Sequence, residues 1–142
     1  MFSSILLPID IGAAGVARQL DYAVATARQW DATLHLLTVV PDYGMSIVGS
    51  FFPAGHEEAA QEKARAELAP YVERARAEGA RSEGHVGHGS IYDQILKFAE
   101  HLDCDLIVIG AHRPELKDYL LGPNAARVVR HARQSVVVIR ER

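Results

Sequence analysis

Only one cysteine, Cys104, occurs in the 142 residues, so an internal disulfide is excluded and a four-cysteine zinc site with it. The chain also lacks any excess of basic residues. Its formal net charge of −3 leaves no electrostatic footprint for nucleic acid, which is not an expected partner. No apolar run approaches the roughly 20 residues that span a bilayer, so no membrane association is expected either. The opening Met1-Phe-Ser-Ser-Ile-Leu-Leu-Pro8 has neither a basic region nor a small-residue cleavage site, and the cytoplasm is the expected compartment. Signatures of catalysis are missing as well. There is no Walker string, no G-x-S-x-G elbow and no H-E-x-x-H, and no residue presents itself as a catalytic base.

What remains is the composition of a globular protein, 49% hydrophobic and 23% charged, long enough for one cored domain over residues 1–142. Ile5-Leu-Leu-Pro-Ile9 reads as a buried strand, and the spacing of Val16, Leu20, Ala23, Val24, Ala27 and Trp30 as a helix. Thr33 to Val40 is a second strand, stopped by Pro41. The stretch 41–56, with Gly44, Gly49, Pro53 and Gly55 among Met45, Phe51 and Phe52, is expected to be a long functional loop. Glu57 to Glu78 is a strong helix signal that Pro70 should kink or split, with Gly79 as its stop.

Arg81 to Val86 makes a polar strand suited to a sheet edge, and Ser90 with Asp93 predicts a side-chain cap on a helix from Ile91 to Leu102. Asp105 to Ile109 is the most apolar strand, and Val136 to Ile139 the last. Strands alternate with helices throughout. Right-handed crossovers then predict a single-domain five-stranded parallel α/β sheet of order 3-2-1-4-5, with helices on both faces.

That order puts the switch point between the first and fourth strands, whose carboxyl ends are Pro8-Ile9-Asp10 and Ile109-Gly110. After Gly110 come His112 and Arg113, and after eight more residues Gly122, which opens Pro123-Asn-Ala-Ala-Arg-Val-Val-Arg-His131. Strand, glycine loop and helix start form a phosphate cradle, in which glycine admits close approach and unpaired N–H groups favour an anion. Two glycines at a tight joint between strands fit the same spacing. Asp10 is placed for a ribose or metal contact, or for a solvated turn, and Arg113 could offer its guanidinium to phosphate. Gly87-His-Gly89 is a weak fragment of a dinucleotide fingerprint, because Tyr92 holds its third glycine position. His85 and His88, three apart at a strand end, are not expected to bind metal.

The sequence resembles the universal stress protein family over nearly its whole length. The likeness rests on Ile5-Leu-Leu-Pro-Ile-Asp10, His35-Leu-Leu-Thr-Val-Val40 and Asp103-Cys-Asp-Leu-Ile-Val-Ile-Gly-Ala-His112. It is strongest in Tyr119-Leu-Leu-Gly122, the helix that follows, and Ser135-Val-Val-Val-Ile-Arg140. His112-Arg-Pro114 matches one branch of the family.

The resemblance implies an adenine-nucleotide alpha-hydrolase-like fold and a non-catalytic or weakly catalytic stress-response regulator binding ATP or another adenine nucleotide. By similarity, Asp10 approaches the ribose or adenine side and the Val39–Val40 backbone flanks adenine; magnesium bridging Asp10 and the phosphates belongs to the alternative of a slow ATPase or autokinase. Gly110 sits under the ribose with His112 nearby, and Gly122 and Asn124 meet the phosphates. A homodimer through Val136, Val137, Val138 and Ile139 is implied too, and a bare apolar edge favours it independently.

The family pattern is G-x2-G-x9-G followed by Ser or Thr. Here the second glycine is Arg113, the next gap is eight residues, and Pro123 replaces the hydroxyl residue, with no N–H to give. Arg113 and Asn124 supply replacement donors. The alternatives left open are a slow ATPase or autokinase, and a dimeric interaction module that has lost nucleotide.

Overall fold

A computed structural model describes residues 1–41, 56–111 and 123–140. Among these residues nine elements alternate: β1 Ser4–Pro8, α1 Val16–Trp30, β2 Thr33–Val40, α2 His56–Ala77, β3 Ser82–His88, α3 Ile91–His101, β4 Leu106–Gly110, α4 Pro123–His131 and β5 Ser135–Ile139. The strands form one parallel sheet in the order β3-β2-β1-β4-β5, as the alternation requires.

Because side chains alternate across a strand, β1, β2 and β4 each feed two cores. Ile5, Leu7, Leu34, Leu36, Leu106 and Val108 face α1 and α2, where Leu20, Val24, Leu68 and Val72 meet them. Leu6, Leu37, Ile107 and Ile109 face α3 and α4, against Ile95, Ala99, Ala125 and Val128. Burial on both faces explains why β1 and β4 read as continuous apolar runs. β3 is thinner: a side chain on Gly84 would crowd Val72 and Leu68, and one on Gly87 would crowd Gln94 and Phe98. Gly87 therefore serves helix packing, not a dinucleotide loop.

Two local expectations are corrected. α2 is not split at Pro70, which lies on the exposed side. Leu68, Val72 and Ala75 hold the inner face to the core, and the carbonyl that loses its donor can turn to water. Ser90 does occupy the N-cap of α3, but its hydroxyl makes no capping bond, and only its carbonyl accepts the Gln94 N–H at 3.0 Å. Gly79, in the left-handed region at φ 98°, ends α2 as expected. No helix among the described residues is long and apolar enough to cross a membrane.

The amino ends of the strands are tied by polar contacts. Asp105, just before β4, accepts from the Ser3 N–H at 3.0 Å, the Ser4 N–H at 3.2 Å and the Ser3 hydroxyl at 3.1 Å. Burial opposes its ionisation, but those Ser3 and Ser4 donors outweigh it and hold its pKa below the ordinary carboxylate value. Arg81 donates to the Asp31 carboxylate and to its carbonyl, both at 2.7 Å. Next to these, the buried His35 of β2 meets His85 of β3, Nδ1 to Nε2, at 2.9 Å. Desolvation lowers the pKa of both rings, and that of His85 is lowered further by His35, while Glu83 pulls each upward. Cys104 is buried, and desolvation raises its thiol pKa, as befits a small core residue.

Candidate functional site

The carboxyl ends of the strands differ in kind. β1 pairs with β2 over all five of its residues, but with β4 only through Ile5–Leu106 and Leu6–Ile107. Beyond Leu6 the ladder stops, because the next β1 position facing β4 is Pro8, which has no N–H to give. The connections that follow β1 and β4 leave for opposite faces of the sheet, which makes this the crevice of a doubly wound sheet.

Each lip of the crevice is built from a residue anticipated above. On the β1 side, Pro8 ends the strand and the Ile9 N–H still donates to the Leu37 carbonyl at 2.8 Å, so Asp10 is the first residue free of the ladder. Its carbonyl accepts the Ala13 N–H at 3.0 Å, closing a turn that needs Gly12 at φ 85°. The Asp10 carboxylate is exposed and makes no hydrogen bond or ion pair among the described residues. Gly15, at φ 89°, is the N-cap of α1 and gives it no side-chain cap.

On the β4 side, Ile109 is buried and Gly110 half-exposed, paired with Ile139 of β5. A Cβ on Gly110 would collide with the side-chain amide of Gln19. The glycine thus lets the first turns of α1 close over the end of β4 and sets an amide beside the crevice. Gln19 escaped the sequence reading because it is a polar residue next to Leu20 on a helix, where only its apolar neighbours carry a periodic signal.

At the far side, Val39 and Val40 end β2, and the Val40 carbonyl accepts the Gly89 N–H at 2.9 Å, with Gly89 at φ 119°. Asn124 is half-buried in the first turn of α4, which starts at Pro123 where a missing N–H costs nothing. Arg127 lies 4.0 Å over the Tyr92 ring, so this guanidinium is engaged on α3. Arg130 and His131 sit in the last turn of α4, where the macrodipole accounts for them. Among the described residues, then, Pro8, Ile9, Asp10, Val39, Val40, Ile109, Gly110, Pro123 and Asn124 lie at carboxyl strand ends or at the α4 start. His112, Arg113 and Gly122, and the stretch 42–55 of the expected loop, lie outside the described residues.

A parallel α/β domain with an open switch point and an acidic residue on its lip is a class of fold built to hold a small ligand at its strand ends. Within that class the chain belongs to the universal stress protein family, whose model matches residues 1–140. It is 32% identical to universal stress protein G of Salmonella typhimurium over 99% of this chain and 100% of that one. The fold is shared with a universal stress protein of Archaeoglobus fulgidus solved in complex with dAMP. The TM-score is 0.73, with 24% identity over 96% of this chain and 97% of that one. It is shared also with a universal stress protein solved in complex with cAMP, at TM-score 0.72 and 23% identity over 98% and 97% of the two chains.

Proposed function

We propose that this chain binds an adenine nucleotide, ATP foremost, across the carboxyl ends of β1 and β4 and acts as a homodimeric regulator of the stress response in the cytoplasm. The observation that carries this reading is the switch point between β1 and β4, where the ladder ends, with Asp10 and Gly110 on its two lips. Relatives of the same fold hold dAMP and cAMP, which supports the adenine ring and the ribose as the recognised parts.

In this reading Asp10 meets the ribose, or magnesium carried by the phosphates, and the Val39–Val40 backbone flanks adenine. Ile109 and Gly110, with Pro8 and Ile9 opposite, line the floor. His112, Arg113, Gly122, Pro123 and Asn124 form the phosphate grip, with side-chain donors of Arg113 and Asn124 in place of the glycine and hydroxyl of the usual loop. Each hydrogen bond lost to a charged phosphate weakens binding by about 1.5–3 kcal/mol, which loosens the grip without removing it.

Dimerisation through β5 rests on its chemistry. Val136, Val137, Val138 and Ile139 are apolar, lie on a sheet edge and are only partly buried in the single chain. The Ile139 carbonyl points to β4, so the backbone groups of Val136 and Val138 point outward, ready for a second copy. Val138→Pro removes an outward N–H in each copy. It should shift the dimer dissociation constant by about a hundredfold, read by sedimentation, without unfolding the monomer.

The decisive test titrates protein stripped of bound ligand with ATP, AMP and GTP while following phosphate release. Saturable binding of the adenine nucleotides, weaker binding of GTP and no steady phosphate release are expected. No binding at millimolar nucleotide would sink the reading and leave a dimeric interaction module, the outcome that Arg113 and Pro123 favour. Steady release would make the protein a slow ATPase.

A further inference from the structure

At the opposite end of the sheet, on the face covered by α3, three metal-ligating side chains converge. In the parallel register His35 of β2 stands beside Glu83 of β3, and His85 lies two residues further along, on the same face. The His85 ring packs 5.8 Å from Phe98 of α3, which fixes that face. One ring nitrogen of each histidine and a carboxylate oxygen of Glu83 all lie within 4.8 Å of one another, and Nδ1 of His35 meets Nε2 of His85 at 2.9 Å. Histidines 50 residues apart in sequence are thus in direct contact, while His88 belongs to the other face, 3.7 Å from Glu57 of α2.

We propose that His35, His85 and Glu83 form a binding site for a divalent first-row transition cation of the zinc class, tying edge strand β3 to β2. The donor set, two imidazole nitrogens and one carboxylate oxygen, suits zinc, whose ligand bonds of about 2.0–2.2 Å put neighbouring donors roughly 3.3 Å apart. The two imidazole nitrogens are already near that spacing. Glu83 is exposed, so its side chain has the freedom to close the remaining gap without moving the backbone. It also leaves the fourth position on the solvent side, for water. His35 is buried and His85 half-buried, which fixes two ligands on rigid strands and keeps the ordering cost to one flexible side chain. Imidazole ligands select against magnesium and calcium, which prefer oxygen.

The nearest ligand, His85, lies three residues before the end of β3, about 10 Å along the strand, and β2 stands between β3 and the crevice. The two sites are therefore separate, and this proposal does not depend on nucleotide. Without metal, the 2.9 Å contact holds one proton between the facing nitrogens. On coordination that proton passes through solvent to the far nitrogen of its own ring. His35 is then protonated at Nε2 and His85 at Nδ1, and the site carries the cation, one carboxylate and two neutral rings.

The test uses full-length protein stripped with a chelator and titrated with zinc at pH 7.5 against a chromophoric competitor, with wild type, His85→Asn and Glu83→Gln compared. One equivalent per chain is expected, with affinity at least about tenfold lower in each variant. Glu83→Gln changes an exposed side chain, so it keeps the test valid should His85→Asn disturb folding. Imidazole nitrogen NMR should show the donor ring of the pair changing tautomer and the coordinated nitrogens of both rings shifting, while the other five of the seven histidines stay unmoved. Undiminished affinity in either variant, unchanged His35 and His85 signals, or no zinc held by wild type would overturn the site.

Discussion

The two ends of the strands contrast more sharply than the two faces of the sheet. At the amino end, backbone and side-chain polar groups are spent on one another: Asp105 clamps Ser3 and Ser4, Arg81 grips Asp31, and His35 meets His85. At the carboxyl end the ladder between β1 and β4 stops early, glycines take the turns, and the Asp10 carboxylate has no partner among the described residues. One end is a closed frame and the other is left with donors and acceptors to offer. Stability and ligand binding can therefore be altered separately, each at its own end.

The largest effect is expected from filling the open end. Gly110→Val would drive a side chain into the place of the Gln19 amide, which can swing aside because it is the tip of a flexible side chain. The displaced atoms then occupy the crevice. Nucleotide affinity should drop by about tenfold to a hundredfold, the equivalent of the usual 1–3 kcal/mol for overpacking, while the melting temperature changes little. Equal losses in both would mean that Gly110 serves only the packing of α1. Restored affinity in Gly110→Val combined with Gln19→Ala would identify the amide as the obstructing group.

A smaller effect of the opposite kind is expected at the closed end. Asp105→Ala strands the N–H groups of Ser3 and Ser4, which water partly recovers, so the expected loss is about 1–2 kcal/mol in denaturant midpoint, with nucleotide affinity unchanged. Acid should expose the same contact. The folded pKa of Asp105 is lowered, so its contribution is complete above its ordinary value of 3.8 and disappears as pH falls through the lower folded value. Unfolding followed between pH 5 and pH 2 should show this limb in wild type and a shallower one in Asp105→Asn.

How far this contrast was readable in advance depends on the range of each interaction. Alternating strands and helices, right-handed crossovers and the apolar runs of β1 and β4 set the strand order, because those signals are local and repeat along the chain. Asp10 and Gly110 were readable for the same reason: topology alone places both at the switch point. Gln19 was not, since nothing local marks a polar helix residue that closes on a glycine 91 residues later. The His35–His85 pair was hidden in the same way, its members lying 50 residues apart, whereas the sequence neighbours His85 and His88 are turned by the strand to opposite faces. Pro70 misled in the other direction, because a missing hydrogen bond on an exposed helix face is outweighed by the buried face opposite.

The smallest effect asks what kind of bond closes the amino end. Arg81 reaches both the carboxylate and the carbonyl of Asp31, the residue at φ 53° that ends α1. As an ion pair it is exposed, 60% on the arginine side and 87% on the aspartate side, where such pairs contribute at most about 1 kcal/mol and are screened by salt. The bond to the carbonyl does not depend on the aspartate charge. Asp31→Asn should therefore cost only a few tenths of a kcal/mol, the more so because asparagine tolerates the left-handed region. Arg81→Lys, which keeps the charge but cannot fork to both acceptors, should cost more than Asp31→Asn. Denaturant unfolding of both variants at low and high salt separates the contributions. If Asp31→Asn costs more and its cost vanishes in salt, charge closes this end; if Arg81→Lys costs more at both, the closure comes from a side-chain donor aimed at a backbone carbonyl, the reverse of the arrangement at Asp105, where backbone N–H groups donate to a carboxylate.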